Sequence, residues 1–222
     1  MSVKIIGTTS GVEVDSDTDH NLYVQVRPPA TGTLGAYVLG ASTGLIAATL
    51  AAGSTLFSFR WTDATRFALI TSIRISAVVT AAITTGVVFD LEAVIARSFT
   101  ASDTGGTAFA PLGANNKVRT SMGNSLVGDL RLATTAALGA GTRTPDATAV
   151  GRIQGFTGTT LGTSIFGNGS GPMYILDRQK AGEYPVVLAQ NEGILVRNPL
   201  IGPATGSFSV AVLIEWMEVA AY

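Results

Sequence analysis

The dominant pattern along this chain is an alternation of apolar and polar residues with a period of two. It is clearest near the C-terminus, where one set of alternate positions holds Phe208, Val210, Val212, Ile214 and Trp216. The positions between them hold Ser209, Ala211, Leu213, Glu215 and Met217. Successive side chains of a strand point to opposite faces, so this spacing predicts a β-strand with one buried face.

Two further long runs show the same period. In residues 66–80 one face is expected to collect Phe67, Leu69, Ile73, Ile75, Ala77 and Val79, with Ser72, Arg74 and Ser76 opposite. In residues 87–97 the apolar set is Val87, Phe89, Leu91, Ala93 and Ile95, with Asp90 and Glu92 opposite. The connection between the runs is short, which predicts an antiparallel hairpin.

Shorter apolar segments separated by turn signals complete the pattern. Their ranges are Asn21 to Arg27, Thr55 to Trp61, Gly151 to Phe156, Pro172 to Leu176, Pro185 to Ala189 and Gly193 to Arg197. Glycine, proline and asparagine clusters lie between them, as in strand-turn-strand folds. The sequence therefore predicts an all-β fold, an antiparallel β-sandwich or jelly roll with long loops.

Helical signals are scarce, and one domain accounts for most of the chain. Residues 43–52 fit a helix or an extended segment about equally well. Residues 1–20 are predicted to form a flexible or docking arm, and residues 21–222 a single sandwich domain. Within that domain, residues 98–149 are rich in Thr, Gly, Ala and Ser and predict a long loop excursion that makes contacts.

Composition changes the picture mainly through what is scarce. The 222 residues include no cysteine, one histidine and 13% charged residues, against 46% apolar residues and 26 glycines. Thiol, metal and proton-transfer chemistry need side chains that this chain mostly lacks, so a non-enzymatic role is expected. A mean hydropathy of +0.39 favours burial against other subunits, as in a homo-oligomer, over a monomer whose small residues merely raise the average.

Two classes of partner are not expected. The net charge is −1 and no stretch of the sequence concentrates basic residues that could bind a phosphate backbone, so nucleic acid is not expected as a partner. The most apolar windows, residues 45–52 and 77–83, fall well short of the roughly 20 residues of a spanning helix. No signal peptide is expected at the N-terminus.

The acidic run Asp15-Ser-Asp17-Thr-Asp19 matches the opening of a calcium loop. However, His20 stands where that loop needs glycine, and Val26 stands where it needs a bidentate glutamate. A solvated acidic arm is therefore expected, with no metal site. The isolated His20 is expected to be a surface or hydrogen-bonded residue.

Two other motifs match chemical sites only in part. The segment Gly40-Ala-Ser42-Thr-Gly44 fits a nucleophile elbow, but the single histidine precedes the serine and no alternating β/α pattern surrounds it. The glycine-rich stretch 167–172 lacks the lysine and helix of a phosphate loop and is expected to be a loop tip.

Paired carboxylates offer a further alternative. Asp90 with Glu92 and Glu215 with Glu218 are spaced closely enough for acid-base chemistry. Solvated faces, or partners for the eleven arginines across subunits, are the preferred interpretation. No catalytic, cofactor-binding or metal-binding residue is therefore assigned.

Aromatic residues divide into two predicted groups. Phe57, Phe59, Trp61 and Trp216 alternate within strands and are expected in the core, with a sugar-binding platform as the weaker alternative. Tyr174 and Tyr184 are expected to be exposed on loops.

Several separated blocks resemble a group of tailed-bacteriophage virion proteins. They are VIARSFTASDTGGTA at 94–108, KVRTSMG at 117–123, YPVVLAQNEG at 184–193 and the closing residues 212–222. The resemblance runs from about residue 50 to the end. It implies a structural component of a virion assembled in the bacterial cytoplasm, and it brings no catalytic residues with it.

Three functions follow as expectations. The first is a capsid decoration or cement protein that oligomerises, for example as a trimer, and contacts the major capsid protein or another virion protein through its arm and the 98–149 excursion. The second is a tail, baseplate or fibre component that binds a receptor or glycan through Tyr174 and Tyr184. The third, a hydrolase of cell-wall polymers, has the least support.

Overall fold

Two antiparallel β-sheets pack face to face around one main hydrophobic core. The structure is a computed structural model that describes residues 34–47, 49–110, 116–119, 121–166, 173–178 and 184–220. These residues fall within one compact unit, Thr31–Tyr222. The predicted all-β sandwich is confirmed. The arm, its boundary at residue 20 and the candidate strand Asn21 to Arg27 lie outside the described residues.

The described part of the chain contains short and long strands in a single series. In chain order they are β1 (Gly35–Ser42), β2 (Ile46–Ala47), β3 (Ser54–Trp61), β4 (Phe67–Ala81), β5 (Val88–Ala101), β6 (Thr107–Ala108), β7 (Val127–Leu132), β8 (Thr142–Pro145), β9 (Gly151–Phe156), β10 (Met173–Asp177), β11 (Val186–Leu188), β12 (Glu192–Asn198) and β13 (Ser207–Val219). The five shorter candidates that begin after residue 50 are all confirmed as strands in the residues that the structure describes, which leave out Pro172.

The strand order gives the sandwich a jelly-roll connectivity. The first sheet runs β1-β13-β4-β10, with β2 on β13 and β11 on β4. The second runs β6-β7-β3-β12-β5-β8, with β9 also on β5. A jelly roll has eight strand positions. Here they are filled in chain order by β1, β3, β4, β5, β8 with β9, β10 with β11, β12 and β13, while β2, β6 and β7 are additional. Positions 1, 8, 3 and 6 form one sheet and positions 2, 7, 4 and 5 form the other, which is the order of two interlocked Greek keys.

The predicted alternation of β13 is confirmed in the core. Phe208, Val210, Val212, Ile214 and Trp216 are all buried between the sheets, while the residues between them are half-buried on the outer face. Strand β13 lies between β1 and β4, so its apolar stripe runs through the middle of the first sheet. Phe57, Phe59 and Trp61 fill the opposite side of the core from β3, as expected.

The predicted hairpin between the two long runs is wrong. Strand β4 belongs to the first sheet and pairs with β13, whereas β5 belongs to the second sheet and pairs with β12. The short connection therefore crosses from one sheet to the other, and its Ile83 is buried in the core. A period of two specifies a strand with one apolar face, but two such faces can meet across a sandwich as well as side by side.

A bulge corrects the predicted apolar face of β4. Glu215 of β13 lies opposite Ser72, but its neighbour Trp216 lies opposite Ile70, so Thr71 is an extra residue in β4. The extra residue changes which side chains point inward. Ala68 and Ile70 therefore enter the core in place of Phe67 and Leu69, while Ile73 onward follows the prediction.

The region 98–149 is more regular than expected. Strand β5 continues to Ala101, and β6, β7 and β8 all join the second sheet. Residues 43–47 and 49–52 contain β2 and irregular backbone, with no helix. Glycine and alanine are weak signals for strands, and the pairing of these segments depends on contacts with β3, with β5 and with one another.

Candidate functional site

Asp90 and Glu92, the first candidate acid-base pair, each bond to an arginine. Glu92 lies opposite both Arg197 of β12 and Arg152 of β9. Arg197 Nε donates to Glu92 Oε1 at 2.7 Å, and Arg152 Nε donates to Asp90 Oδ2 at 2.7 Å. Hydrogen bonding to Asp90 raises the pKa of Arg152. Since both carboxylates are buried, the predicted solvated face is wrong, and the arginines meet them within one chain.

Glu215 and Glu218, the second candidate pair, lie on opposite faces of the first sheet. Glu215 points outward, where its carboxylate accepts from Arg74 Nη2 at 2.5 Å and from Ser72 Oγ at 2.8 Å. Glu218 points inward and is 1% exposed. The two carboxylates therefore share no site.

Glu218 bonds to residues 125–126, a segment that packs at the β1 edge of the sandwich. Its Oε1 accepts hydrogen bonds from Ser125 Oγ at 2.6 Å, from the Leu126 amide at 3.0 Å and from Trp216 Nε1 at 3.4 Å. Burial raises the pKa of Glu218, and these three donors oppose the increase. A buried glutamate one residue before the end of an apolar strand has no clear sequence signal, so this contact was missed.

Tyr37 of β1 reinforces the same edge. Its ring stacks on Trp216 with centroids 5.4 Å apart, and its hydroxyl donates to the Gly123 carbonyl at 2.9 Å. Burial, followed by the charge of Glu218, raises the pKa of Tyr37 to about 12. Asn116 and Val118 also bond to the backbone of β1, so the outer edge of this strand is covered there.

The opposite edge of the sandwich is closed by residues 162–165. Val79 of β4 bonds to the backbone of this segment, and Phe156 of β9 bonds to its Ile165 carbonyl. Covered edges leave fewer unpaired backbone N–H and C=O groups with which a strand of another molecule could pair. Both closures depend on loops whose sequences carry no strand pattern.

A buried ion pair fastens the 98–149 region to the second sheet. Asp103 Oδ1 accepts from Arg143 Nε at 2.7 Å and from the Gly141 amide at 2.7 Å, while Arg143 Nη2 also donates to Thr55 Oγ1 at 3.0 Å. The side chains of Asp103 and Arg143 are 0% and 6% exposed. Sequence reasoning missed this pair, because its members lie forty residues apart.

Most ion pairs of the described part belong to the second sheet or to segments packed against it. They are Asp90–Arg152, Glu92–Arg197, Asp103–Arg143, Asp129–Arg131, Asp146–Arg97 and Glu192–Arg97. The first sheet contributes Glu215–Arg74. Hydrogen bonds to Glu192 and Asp146 raise the pKa of Arg97. Charge is thus concentrated on one half of the sandwich.

The remaining motifs show no chemical arrangement in the described residues. Ser42 ends β1 opposite Ala211, without a following helix, so the elbow geometry is not formed. The acidic run Asp15 to Asp19, His20 and the glycine-rich stretch 167–172 lie outside the described residues. Among the residues that are described, no three potential metal ligands come together.

The two tyrosines expected on the surface are both exposed. Tyr174 lies on strand β10, not on a loop, and is 46% exposed beside the Arg74 guanidinium, 5.2 Å from its ring centroid. Tyr184 is 79% exposed and lines a shallow depression with Arg178, Pro185 and Val150. The four aromatics expected in the core are buried there.

Comparisons with protein-family models, with curated proteins and with solved structures find no match to this chain. Within the described ranges, no helix has the length and apolarity needed to cross a membrane.

Proposed function

We propose that this protein is a non-enzymatic structural component of a bacteriophage virion, a capsid decoration or cement protein that oligomerises on the head. The observation that supports this proposal is that the carboxylates bond within the chain. Every carboxylate in the described part has an interaction within the chain, and most of these interactions fasten a strand to another strand or to a loop. Such internal fastening suits a rigid component of a shell.

The fold is compatible with this proposal and also with other functions. Jelly rolls occur in viral capsid proteins and also in lectins and cupins, and a fold does not imply a function. The resemblance of residues 94–108, 117–123 and 184–193 to phage virion proteins favours the first of these uses. The virion location and the capsid partner rest on that resemblance.

Immunogold labelling of purified particles tests the proposal. We expect the protein to copurify with particles in a density gradient and the label to cover the head surface. Particles that lack the protein should release DNA at a lower temperature than complete particles. Absence of the protein from purified particles would contradict the proposal, and label restricted to the tail tip would favour a tail component.

A tail component that binds a glycan is the second candidate. The observation in its favour is Tyr184, whose largely exposed ring lies beside Arg178 at the shallow depression. Sugar rings stack on such aromatic faces. A glycan array probed with the wild type and with Tyr184→Ala distinguishes the candidates, because only the second predicts binding that the substitution removes.

A further inference from the structure

One end of the sandwich is built from segments without a charged side chain. These segments are residues 43–53, 82–87, 133–140, 157–164 and 199–206. Their 40 described residues include no Asp, Glu, Lys, Arg or His. We call the surface that these five segments form the neutral end.

Hydrogen bonds join the five segments into one continuous surface. The bonds run from the Thr49 amide to the Pro203 carbonyl at 2.8 Å, from the Thr84 amide to Thr205 Oγ1 at 2.9 Å, from the Val87 amide to Thr157 Oγ1 at 2.8 Å and from the Ala47 amide to the Thr135 carbonyl at 3.5 Å. Because the strands of a jelly roll are antiparallel, alternate connections lie at the same end. The fold therefore gathers segments that are far apart in the sequence.

Large apolar side chains project from the neutral end. Leu45 is 59% exposed, Leu161 61% and Ile201 71%, and Leu200 of the same segment as Ile201 is 40% exposed. Together these four side chains expose about 400 Å², and apolar exposure of this size marks interaction surfaces of soluble proteins. The cores of such interfaces are also depleted of charged residues.

The other described surfaces of the domain all carry charged groups. The opposite end holds Asp63 and Arg97, the outer face of the first sheet holds Arg74 and Glu215, and the outer face of the second sheet holds Arg152. A charge-free surface offers no counter-charge to such groups, so their desolvation against it would be costly. Among the described surfaces of this chain, the neutral end is thus the one that another neutral end can cover without leaving a charge unpaired.

We propose that the neutral end binds the neutral end of a second copy of this chain in a two-fold arrangement. The accessible surface of the chain, 11731 Å², averages about 50 Å² per residue. On that scale the neutral end exposes on the order of 1,500 Å², about twice the roughly 800 Å² that each partner contributes to an ordinary stable interface. Contact over about half of the neutral end is therefore enough for a stable dimer.

This inference rests on the oligomerising role in the proposed function and names the surface that performs it. A surface that binds the same surface of another copy makes an isologous contact, which produces dimers. The expected trimer would require a different surface.

Sedimentation velocity of the full-length protein with matched substitutions tests the inference. The wild type should be a dimer at micromolar concentrations. Ile201→Asp and Leu161→Asp bring a carboxylate from each copy into the contact and should weaken dimerisation at least about 100-fold. Val118→Asp changes an apolar residue of similar exposure, 66%, beside the start of β1 and should leave the dimer unchanged. Thermal unfolding confirms that each variant is folded.

A single introduced thiol provides a second measurement, since the sequence contains no cysteine. Ala204 is exposed on the neutral end, and Gln154 is exposed on the second sheet. The thiol of Ala204→Cys should react slowly with a maleimide in the dimer and rapidly after dilution to the monomer. The thiol of Gln154→Cys should react rapidly in both states.

Four results would overturn the inference. The first is a monomeric wild type, and the second is a folded Ile201→Asp variant that remains a dimer. The third is an Ala204→Cys thiol that resists maleimide in the monomer, since other residues of the same chain would then cover the neutral end. The fourth is flotation of the wild type with phosphatidylcholine vesicles, which would assign the neutral end to a lipid surface.

These results separate the inference from the proposed function. A protein that dimerises through the neutral end but is absent from virions contradicts only the virion role. A protein found in virions whose mass is unaffected by Ile201→Asp contradicts only the neutral end as the contact.

Discussion

The carboxylate of Glu218 accepts a 2.6 Å hydrogen bond from the hydroxyl of Ser125, and this bond joins the last long strand to the segment that closes one edge of the sandwich. The Leu126 amide donates to the same carboxylate at 3.0 Å. Because the group is buried, its ionisation is linked to the stability of the edge.

We expect Glu218→Gln to be more stable than the wild type at neutral pH. Burial raises the pKa of Glu218 above its usual value of 4.5. The folded state of the wild type therefore loses stability as pH rises from about 4.5 through the raised pKa, by about 1.4 kcal/mol for each pH unit in that interval. Glutamine keeps an acceptor for Ser125 without the charge.

Urea unfolding from pH 4 to pH 8 checks this expectation. The wild type and Glu218→Gln should converge at the acidic end and separate as pH increases. Glu218→Ala is the control, since it leaves Ser125 and Leu126 without their acceptor and should be less stable than Glu218→Gln at every pH. A constant difference between the wild type and Glu218→Gln would contradict the assignment.

Asp103→Ala should strongly destabilise the protein. The substitution leaves Arg143 buried without its carboxylate, and loss of one partner from a buried pair costs about 3–5 kcal/mol. Asp129→Ala breaks the more exposed Asp129–Arg131 pair, whose side chains are 14% and 25% exposed, and should cost less than about 1 kcal/mol. Chemical denaturation measures both values.

A double variant separates charge from shape at this site. Asp103→Leu with Arg143→Met fills similar volume with apolar groups and should recover most of the stability lost in Asp103→Ala. If the double variant is as unstable as Asp103→Ala, hydrogen bonds to Gly141 and Thr55 are more important than the unpaired charge.

Gly151→Ala should also destabilise the fold, through backbone crowding. A Cβ atom at Gly151 would lie 1.9 Å from the Ile175 carbonyl oxygen, so β9 and β10 would have to move apart. Overpacking of this kind costs about 1–3 kcal/mol. Gly123→Ala is a matched control, because a Cβ at Gly123 has no atom within 4 Å and should change stability by less than about 0.5 kcal/mol.

Tyr37 should ionise late in a spectrophotometric titration. Burial raises its pKa from 10.0 to about 12, so the folded state disfavours the phenolate and loses stability as pH rises from 10 through about 12. Tyr37→Phe should remove the absorbance change near pH 12 and make stability less sensitive to pH in that interval. A wild type that titrates completely near pH 10 while still folded would contradict the buried environment of Tyr37.

Strands with strong alternation were predictable from the sequence. The apolar stripe of β13 and the aromatic residues of β3 occupy the core as expected, because burial of one face requires apolar residues at alternate positions. Strands β6, β7 and β8 were not predicted. Strand β7 pairs with β3 and buries Leu130 and Leu132, and β6 pairs with β7. In β8, Arg143 donates to the buried Asp103, a contact between residues that are far apart in the chain.

The candidate site was less predictable than the fold. The sequence indicated that Asp90 and Glu92 share a strand face, but it could not indicate that Arg152 and Arg197 lie beside them. It also predicted β4 and β5 as one hairpin, although their partners are β13 and β12. Both outcomes depend on contacts between residues far apart in the chain.

The sequence by itself therefore determined that this protein is a β-sandwich with few reactive groups, since period-two patterning and composition are local properties. Tertiary structure alone decided which strands pair, where Thr71 shifts the inward face, and which arginine meets each carboxylate. It also gave the two halves of the sandwich different outer surfaces. The physical reason is that backbone hydrogen bonds and apolar burial stabilise the pairing of any two strands with matching faces. The choice among possible partners therefore depends on how the whole domain packs.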